Sequence, residues 1–192
     1  RLEALSEEGI YFPHFYANSF RTDRGLVSIL SGYPAQPTAS IMKYPSKSQS
    51  LPAIARSLRK AGYDTEMIYG GDADFTNMRS YFYATGYGRV MSCDDFTTEE
   101  NSARWGVPDH ITFSRVEKEI ARQTVRPFMK TFLTLSSHEP FDVPMCRLEH
   151  PYLNSVAYTD SCLGAFVDTL RQSPLWNDLL IVFVADHTMR YP

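Results

Sequence analysis

A chain of 192 residues with 43% hydrophobic and 14% aromatic content is large and apolar enough for one globular core. Its net charge of −3 leaves no basic excess to hold nucleic acid, so any anionic substrate must be met by local arginines and a metal ion. Three cysteines (Cys93, Cys146, Cys162) lack metal-like or redox spacing, their odd number argues against a complete disulfide framework, and no stretch approaches the roughly 20 apolar residues of a membrane span.

Leu2 and Leu5 stand at helical spacing, so residues 2–8 read as a helix closed at Gly9. Residues 10–16 read as a strand broken by Pro13. The next stretch is Ala17-Asn18-Ser19-Phe20-Arg21-Thr22-Asp23-Arg24-Gly25, followed by a short apolar helix, residues 23–31, that stops at Gly32 and Pro34. Thr22 stands where a helix N-cap belongs, and on these residues alone capping is the safer reading. The same place also suits a nucleophile. Free N–H groups and the positive end of the helix dipole favour an anion there, Arg21 and Arg24 add donors, and Gly25 permits close backbone approach.

A polar loop with Pro34, Pro37 and Pro45 runs to about Ser50. Leu51, Ile54, Ala55, Leu58 and Ala61 then repeat at helical spacing, with Pro52 in the first turn and Gly62 at the stop. Residues 65–69 form a strand ending in Gly70-Gly71-Asp72, and residues 75–85 a helix ending at Gly86. Residues 92–108 are polar and irregular, and Asp109 caps a helix carrying Ile111, Val116 and Ile120. Residues 128–135 form a strand, followed by a loop from 136 to 151. A long helix at 153–172 turns Val156, Leu163, Phe166, Val167 and Leu170 inward. Residues 179–184 are six apolar residues in a row, the pattern of a strand buried on both faces.

Strands alternating with helices imply an α/β fold with a mainly parallel central sheet, and ligands in such folds gather at the carboxyl ends of the strands. Each strand is followed there by groups able to bind a metal or an anion. They are the Thr22 stretch, Gly70-Gly71-Asp72, Ser136-Ser137-His138-Glu139 and Ala185-Asp186-His187. A carboxylate and an imidazole at Asp186 and His187 suit a metal centre, and an exposed loop pair is the competing reading. His138 suits a bond to a substrate oxygen or protonation of a leaving group, against a histidine that caps a loop. Arg79, near the head of the helix that follows the glycine turn, suits a phosphate or sulfate clamp. Asp72 and Asp74, taken alone, read better as ordinary helix caps. Asp160 reads as structural, and the aromatics at 81–87 read as packing rather than as a sugar platform.

Together these motifs resemble the sulfatase family of the alkaline phosphatase superfamily, and within it the lipoteichoic acid synthase-like phosphoglycerol transferases. The resemblance rests on Phe15-Tyr16-Ala17-Asn18-Ser19 with Arg21-Thr22, Ser31-Gly32-Tyr33-Pro34, Leu135 to Phe141, Tyr158-Thr159-Asp160 and Ala185-Asp186-His187. It implies that Thr22 is nucleophile and metal ligand, that Asp186 and His187 hold the divalent metal, commonly Mn2+ (with Mg2+ or Zn2+ as alternatives), and that His138, Asp72 and Arg79, with Arg21, bind the head group. The implied substrate is an anionic lipid head group or a phosphate or sulfate ester. The implied setting is outside the cytoplasmic membrane, tethered by a segment absent from this chain. Residues 1–192 are expected to be a single sulfatase-like catalytic domain in incomplete form, without the first strand, which carries the family's metal-binding glutamate, and without the C-terminal strands. Threonine at the nucleophile position favours phosphoryl transfer over the formylglycine chemistry of sulfatases proper. A sulfate- or phosphate-ester hydrolase, and a non-catalytic extracellular remnant, are the rival expectations.

Overall fold

The computed structural model describes residues 1–189. Three parallel strands, β1 (Asp64–Tyr69), β2 (Arg89–Met91) and β3 (Phe128–Leu133), form one sheet in the order β2-β1-β3. Seven α-helices are described: α1 (Leu2–Glu8), α2 (Thr22–Ser31), α3 (Pro45–Ser48), α4 (Ile54–Lys60), α5 (Met78–Ala84), α6 (Asp109–Ala121) and α7 (Pro151–Arg171).

Alternation along the central strand sorts the core into two halves. Met67 points into one, with Leu26, Val27 and Leu30 of α2 and Tyr81 and Phe82 of α5. Ile68 points into the other, with Phe113, Val116 and Ile120 of α6 and Phe166, Val167 and Leu170 of α7. Each fully buried side chain of this size contributes about 1.5–3 kcal/mol of hydrophobic stabilisation. The result is a helix–sheet–helix sandwich. Glu66 is the exception inside β1. It is buried, and it is neutralised from both neighbouring strands by Lys130 (2.5 Å) and Arg89 (3.1 Å).

This layering positions the site. The chain leaves β1 toward α5 on one face of the sheet, while the chain after β3 leads to α7 on the other. Neighbouring strands whose continuations part in this way open a crevice at their carboxyl ends.

The expected α/β fold with its parallel sheet is therefore present, with local differences. Thr22 is the first residue of α2 and Arg21 the N-cap, so the threonine hydroxyl is not the cap. The helix expected from residue 51 begins at Ile54, with Ala53 as its extended N-cap. Residues 75–85 split into a 3-10 turn and α5, with Thr76 and Asn77 at positive φ. The three-residue strand β2 was not expected. In α7 the expected inward Val156 is exposed, whereas Phe166, Val167 and Leu170 are buried.

Neither residues 10–16 nor residues 179–184 form a strand. In the first, Pro13 lacks a donor and Ile10, Tyr11, Phe12, Phe15 and Tyr16 all face solvent. The second is unpaired. Leu180 is 88% and Val182 72% exposed, while Leu179 and Ile181 pack on the α6–α7 side. An apolar run measures what a segment would gain by burial. It does not supply the neighbouring strand to which its backbone must bond.

Candidate functional site

The loops after β1 and β3, the turn at Asp186-His187 and the start of α2 carry the expected residues. Thr22 is half-buried at the first turn of a ten-residue helix that has no side-chain cap, which leaves its leading N–H groups available to an anion. The turn is tightly built: the N–H groups of Arg24 and Gly25 both donate to the carbonyl of Arg21. Against it lies the chain at Asp186. A Cβ placed on Gly25 would fall 2.0 Å from the Asp186 carbonyl oxygen. Sequence reading assigned Gly25 to the close approach of a ligand. The close approach is made instead by the backbone of the Asp-His pair, which is thereby seated beside the threonine's helix turn.

Asp186 and His187 are both about three-quarters covered, with His187 Nε2 3.8 Å from Asp186 Oδ2. Beside Thr22, the Asp23 carboxylate is 4% exposed. Its Oδ1 lies 3.3 Å from Arg21 Nε, an ion-pair distance without hydrogen-bond alignment, and it has no hydrogen-bond partner. Arg21 is thus turned toward Asp23. Arg24 donates to the carbonyl of Pro37 and lies over the Phe20 ring.

At the end of β1, Tyr69 lies over Gly71, where a Cβ would strike its ring at 2.4 Å. Burial pushes the Tyr69 phenol well above its ordinary value, and the charges of Asp72 and Asp186, followed by Cys93, push in the same direction. Tyr69 thus lies within electrostatic reach of both Asp72 and Asp186. Asp72 is exposed and accepts the N–H of Asp74 (2.8 Å). Arg79 is engaged in place: Nε meets both carboxylate oxygens of Asp74 (2.9 and 3.0 Å), and Nη2 reaches Ser92 Oγ (2.9 Å) and Asp94 (3.3 Å). The Asp74 bond, ahead of the nearby acidic charges and against partial burial, raises its already high pKa, so the guanidinium is a permanent cation.

At the end of β3, His138 is exposed in the turn where its own N–H donates to the carbonyl of Leu135 (3.0 Å). Its Nδ1 lies 2.8 Å from the carbonyl oxygen of Glu139, which makes Nδ1 the donor and leaves Nε2 as the basic nitrogen of the neutral ring. Trp105 stands edge-on to it, ring centres 5.3 Å apart, and donates its indole N–H to the same carbonyl (2.5 Å). Trp105, Tyr69 and the buried Asp109 were not singled out as site residues, because the contacts that define them cross many residues of chain. Only Asp109 left a signal, and as a helix start.

The structure thus brings Asp186 to the start of the Thr22 helix and, through Tyr69, toward Asp72. It turns Arg79 and Arg21 toward carboxylates, and it places His138 with Trp105. Hydroxyl, carboxylate and imidazole are the donor types of a divalent metal site, and the orphaned Asp23 Oδ1 adds an unspent carboxylate oxygen in the same turn. Among the described residues, however, no group of three or more His, Cys, Asp or Glu side chains is gathered as a metal would require. The residues fit a metal as a partial set.

A parallel α/β domain with polar loops at the carboxyl edge of its sheet is the class this geometry defines. The chain belongs to the sulfatase family, whose model matches residues 1–191. It is 24% identical over 198 residues to the lipoteichoic acid synthase-like protein YvgJ of Bacillus subtilis, a match covering 95% of this chain and 32% of that protein. Among solved structures, a protein of the alkaline phosphatase superfamily from Vibrio parahaemolyticus superposes with a TM-score of 0.82 at 30% identity, over 92% of this chain and 45% of that one. The lipoteichoic acid synthase LtaP of Listeria monocytogenes gives 0.80 at 22% identity, over 92% and 47%, a likeness of fold. The chain therefore spans about a third of the curated relative and under half of the solved ones.

Proposed function

We propose that this chain is the core of a phosphoglycerol transferase that acts on anionic lipid head groups through Thr22, in a double displacement at phosphorus. The observation that carries this reading is the seating of Asp186 on Gly25, one turn from Thr22. That contact brings the backbone of the Asp-His pair to the first turn of the Thr22 helix, which supports a carboxylate and an imidazole working with that hydroxyl.

Thr22, Asp186 and His187 are the residues that would hold a divalent ion, Mn2+ by family resemblance. Such an ion would lower the hydroxyl pKa and offset phosphate charge. The Thr22 hydroxyl gives its proton to solvent as its oxygen attacks phosphorus, and the diacylglycerol oxygen leaves with a proton from His138 in its imidazolium form, given from Nε2; the acceptor hydroxyl later returns that proton to Nε2. Asp72 contacts the glycerol hydroxyls, while Arg79 and Arg21 face the phosphate oxygens. The phosphoglyceryl group then passes from Thr22 to an acceptor hydroxyl. Residues 1–192 belong to a single sulfatase-like catalytic domain, of which the last three residues lie outside the described ones. The setting is extracytoplasmic, with attachment to the membrane through sequence other than this; among the described residues no helix is long and apolar enough to cross a membrane.

The test is incubation of the full-length protein with a phosphatidylglycerol donor, followed by peptide mass analysis. A phosphoglyceryl adduct on the Thr22 peptide, lost in Thr22→Ala together with turnover, is expected. More than about a tenth of the turnover surviving in Thr22→Ala would refute the assignment. Turnover of a chromogenic sulfate ester without any adduct would favour a hydrolase.

A further inference from the structure

Between β2 and α6 the chain crosses the carboxyl edge of the sheet as a strap, residues 103–109. One end is fixed to the loop after β1. Gly71 and Gly106 pair in an antiparallel bridge, and the Val107 N–H donates to the carbonyl of Gly70 (2.8 Å). Gly106 sits at φ 143°, and a Cβ there would lie 2.1 Å from the Gly70 oxygen, so a side chain is excluded both by conformation and by contact.

The other end is fixed to the loop after β3, and the fastening is the Asp109 carboxylate, 1% exposed. Its Oδ1 accepts the N–H groups of Leu135 (2.8 Å) and Ser136 (3.2 Å). Its Oδ2 accepts the Thr159 hydroxyl (2.7 Å), and its own N–H donates to Ser136 Oγ (2.9 Å). An aspartate serving only its own helix would bond N–H groups two or three residues on. Each of these carboxylate bonds leaves the helix, and two of them end on the segment that turns into His138. Trp105, in the middle of the strap, holds the far side of the same loop through the Glu139 carbonyl.

We infer that Asp109 is a positioning residue, which fixes the His138 loop against the Asp72 loop so that the two halves of the head-group site keep their spacing. This rests on the phosphoglycerol-transferase reading above. A buried carboxylate is costly unless its oxygens are bonded, and here the bonds that satisfy it also define where His138 stands.

The experiment uses the full-length protein with a phosphatidylglycerol donor, and amide hydrogen exchange on the same samples. In Asp109→Ala, exchange at Leu135 and Ser136 should quicken at least about tenfold while Ile120 in α6 keeps its protection. Displacement of His138 should then lower kcat by about 10²-fold, with KM within about threefold. Asp109→Asn keeps an acceptor oxygen for both N–H groups and should restore kcat to within about threefold of wild type. In a His138→Ala background, Asp109→Ala should cost less than about twofold more. Should Asp109→Ala not fold, Ser136→Ala removes one reciprocal bond and should show the same pattern at smaller amplitude. Unchanged exchange at Leu135 and Ser136, or a full multiplicative loss in the double variant, would overturn the clamp. Full turnover in His138→Ala would instead refute the role given to that histidine, and with it any catalytic meaning of the clamp.

Discussion

The backbone of Asp186 rests on Gly25: a single methyl group at that glycine would come within 2.0 Å of the Asp186 carbonyl oxygen. Contact with a rigid carbonyl cannot be relieved by a rotamer change, so Gly25→Ala must displace either the first turn of α2 or the Asp186-His187 turn. The turn is the easier to move, because residues 179–185 belong to no strand. Gly25→Ala is therefore expected to lower turnover of the full-length protein by about 10²-fold or more. The cost in stability should be modest, about 1–3 kcal/mol as for other overpacked sites. Thermal melting and turnover measured together check this. Near-normal turnover in a folded Gly25→Ala protein would mean that the Asp-His pair does not need its seat.

Arg79 poses a different question, because its guanidinium is already bonded to Asp74, Ser92 and Asp94. An arginine that acts on developing phosphate charge is worth about 10²–10³ in turnover. Arg79→Ala should lose that much in the full-length protein, and Arg79→Lys should recover little of it, since a point charge cannot reproduce the planar fork. If Arg79 is only the keystone of its loop, Asp74→Asn should be as damaging as Arg79→Ala. If it meets the substrate, Asp74→Asn should fall well short of that loss. Kinetics on the three variants separate the two.

The sequence made β1, β3, α6 and α7 readable, because each is long enough for its hydrophobic period to repeat. It also led to the polar loops after β1 and β3, since an α/β pattern tells where ligands gather, whereas the other two loops follow segments that form no strand. What stayed hidden depends on partners far along the chain. Strand β2 has three residues, too few for any period. Residues 10–16 and 179–184 have strand-like composition, but pairing is a property of two segments, and in the described structure neither has a second. Asp109 reads locally as a helix start; that its carboxylate serves Leu135, Ser136 and Thr159 is visible only once the sheet has brought residues 26 to 50 positions apart into contact. Trp105 meets Glu139 across 34 residues and was hidden for the same reason.

The buried Asp109 also makes a prediction about pH. Burial raises its pKa, and the bonds from Leu135, Thr159 and Ser136 only partly offset this. A folded pKa above the unfolded one means that the native state holds the proton more tightly. The associated stability is then complete below the ordinary aspartate range, near pH 4, and is lost as pH rises through the folded value. An amide at this position carries no such titration. The melting temperature of Asp109→Asn minus that of wild type should therefore increase between about pH 4 and pH 7. A difference that is flat or falls with pH would show that the three bonds outweigh burial.

Metal affinity of the isolated chain, residues 1–192, tests how complete the site is. Thr22, Asp186 and His187 offer two oxygens and one nitrogen, with Asp186 the only charged oxygen donor among them. Manganese is a hard ion that favours several oxygen ligands, and three donors leave at least half of an octahedral shell to water. Calorimetric titration of the isolated chain with Mn2+ should accordingly reveal no site with a Kd at or below about 1 μM, the level of roughly −8 kcal/mol. A stoichiometric micromolar site would mean that another carboxylate completes the shell. Asp23 is then the residue to remove first: its Oδ1 is buried and lacks a hydrogen-bond partner beside Thr22, and coordination would satisfy it. In that case Asp23→Asn should abolish the site and leave the fold intact, whereas retention of the site in Asp23→Asn would assign the missing ligand elsewhere.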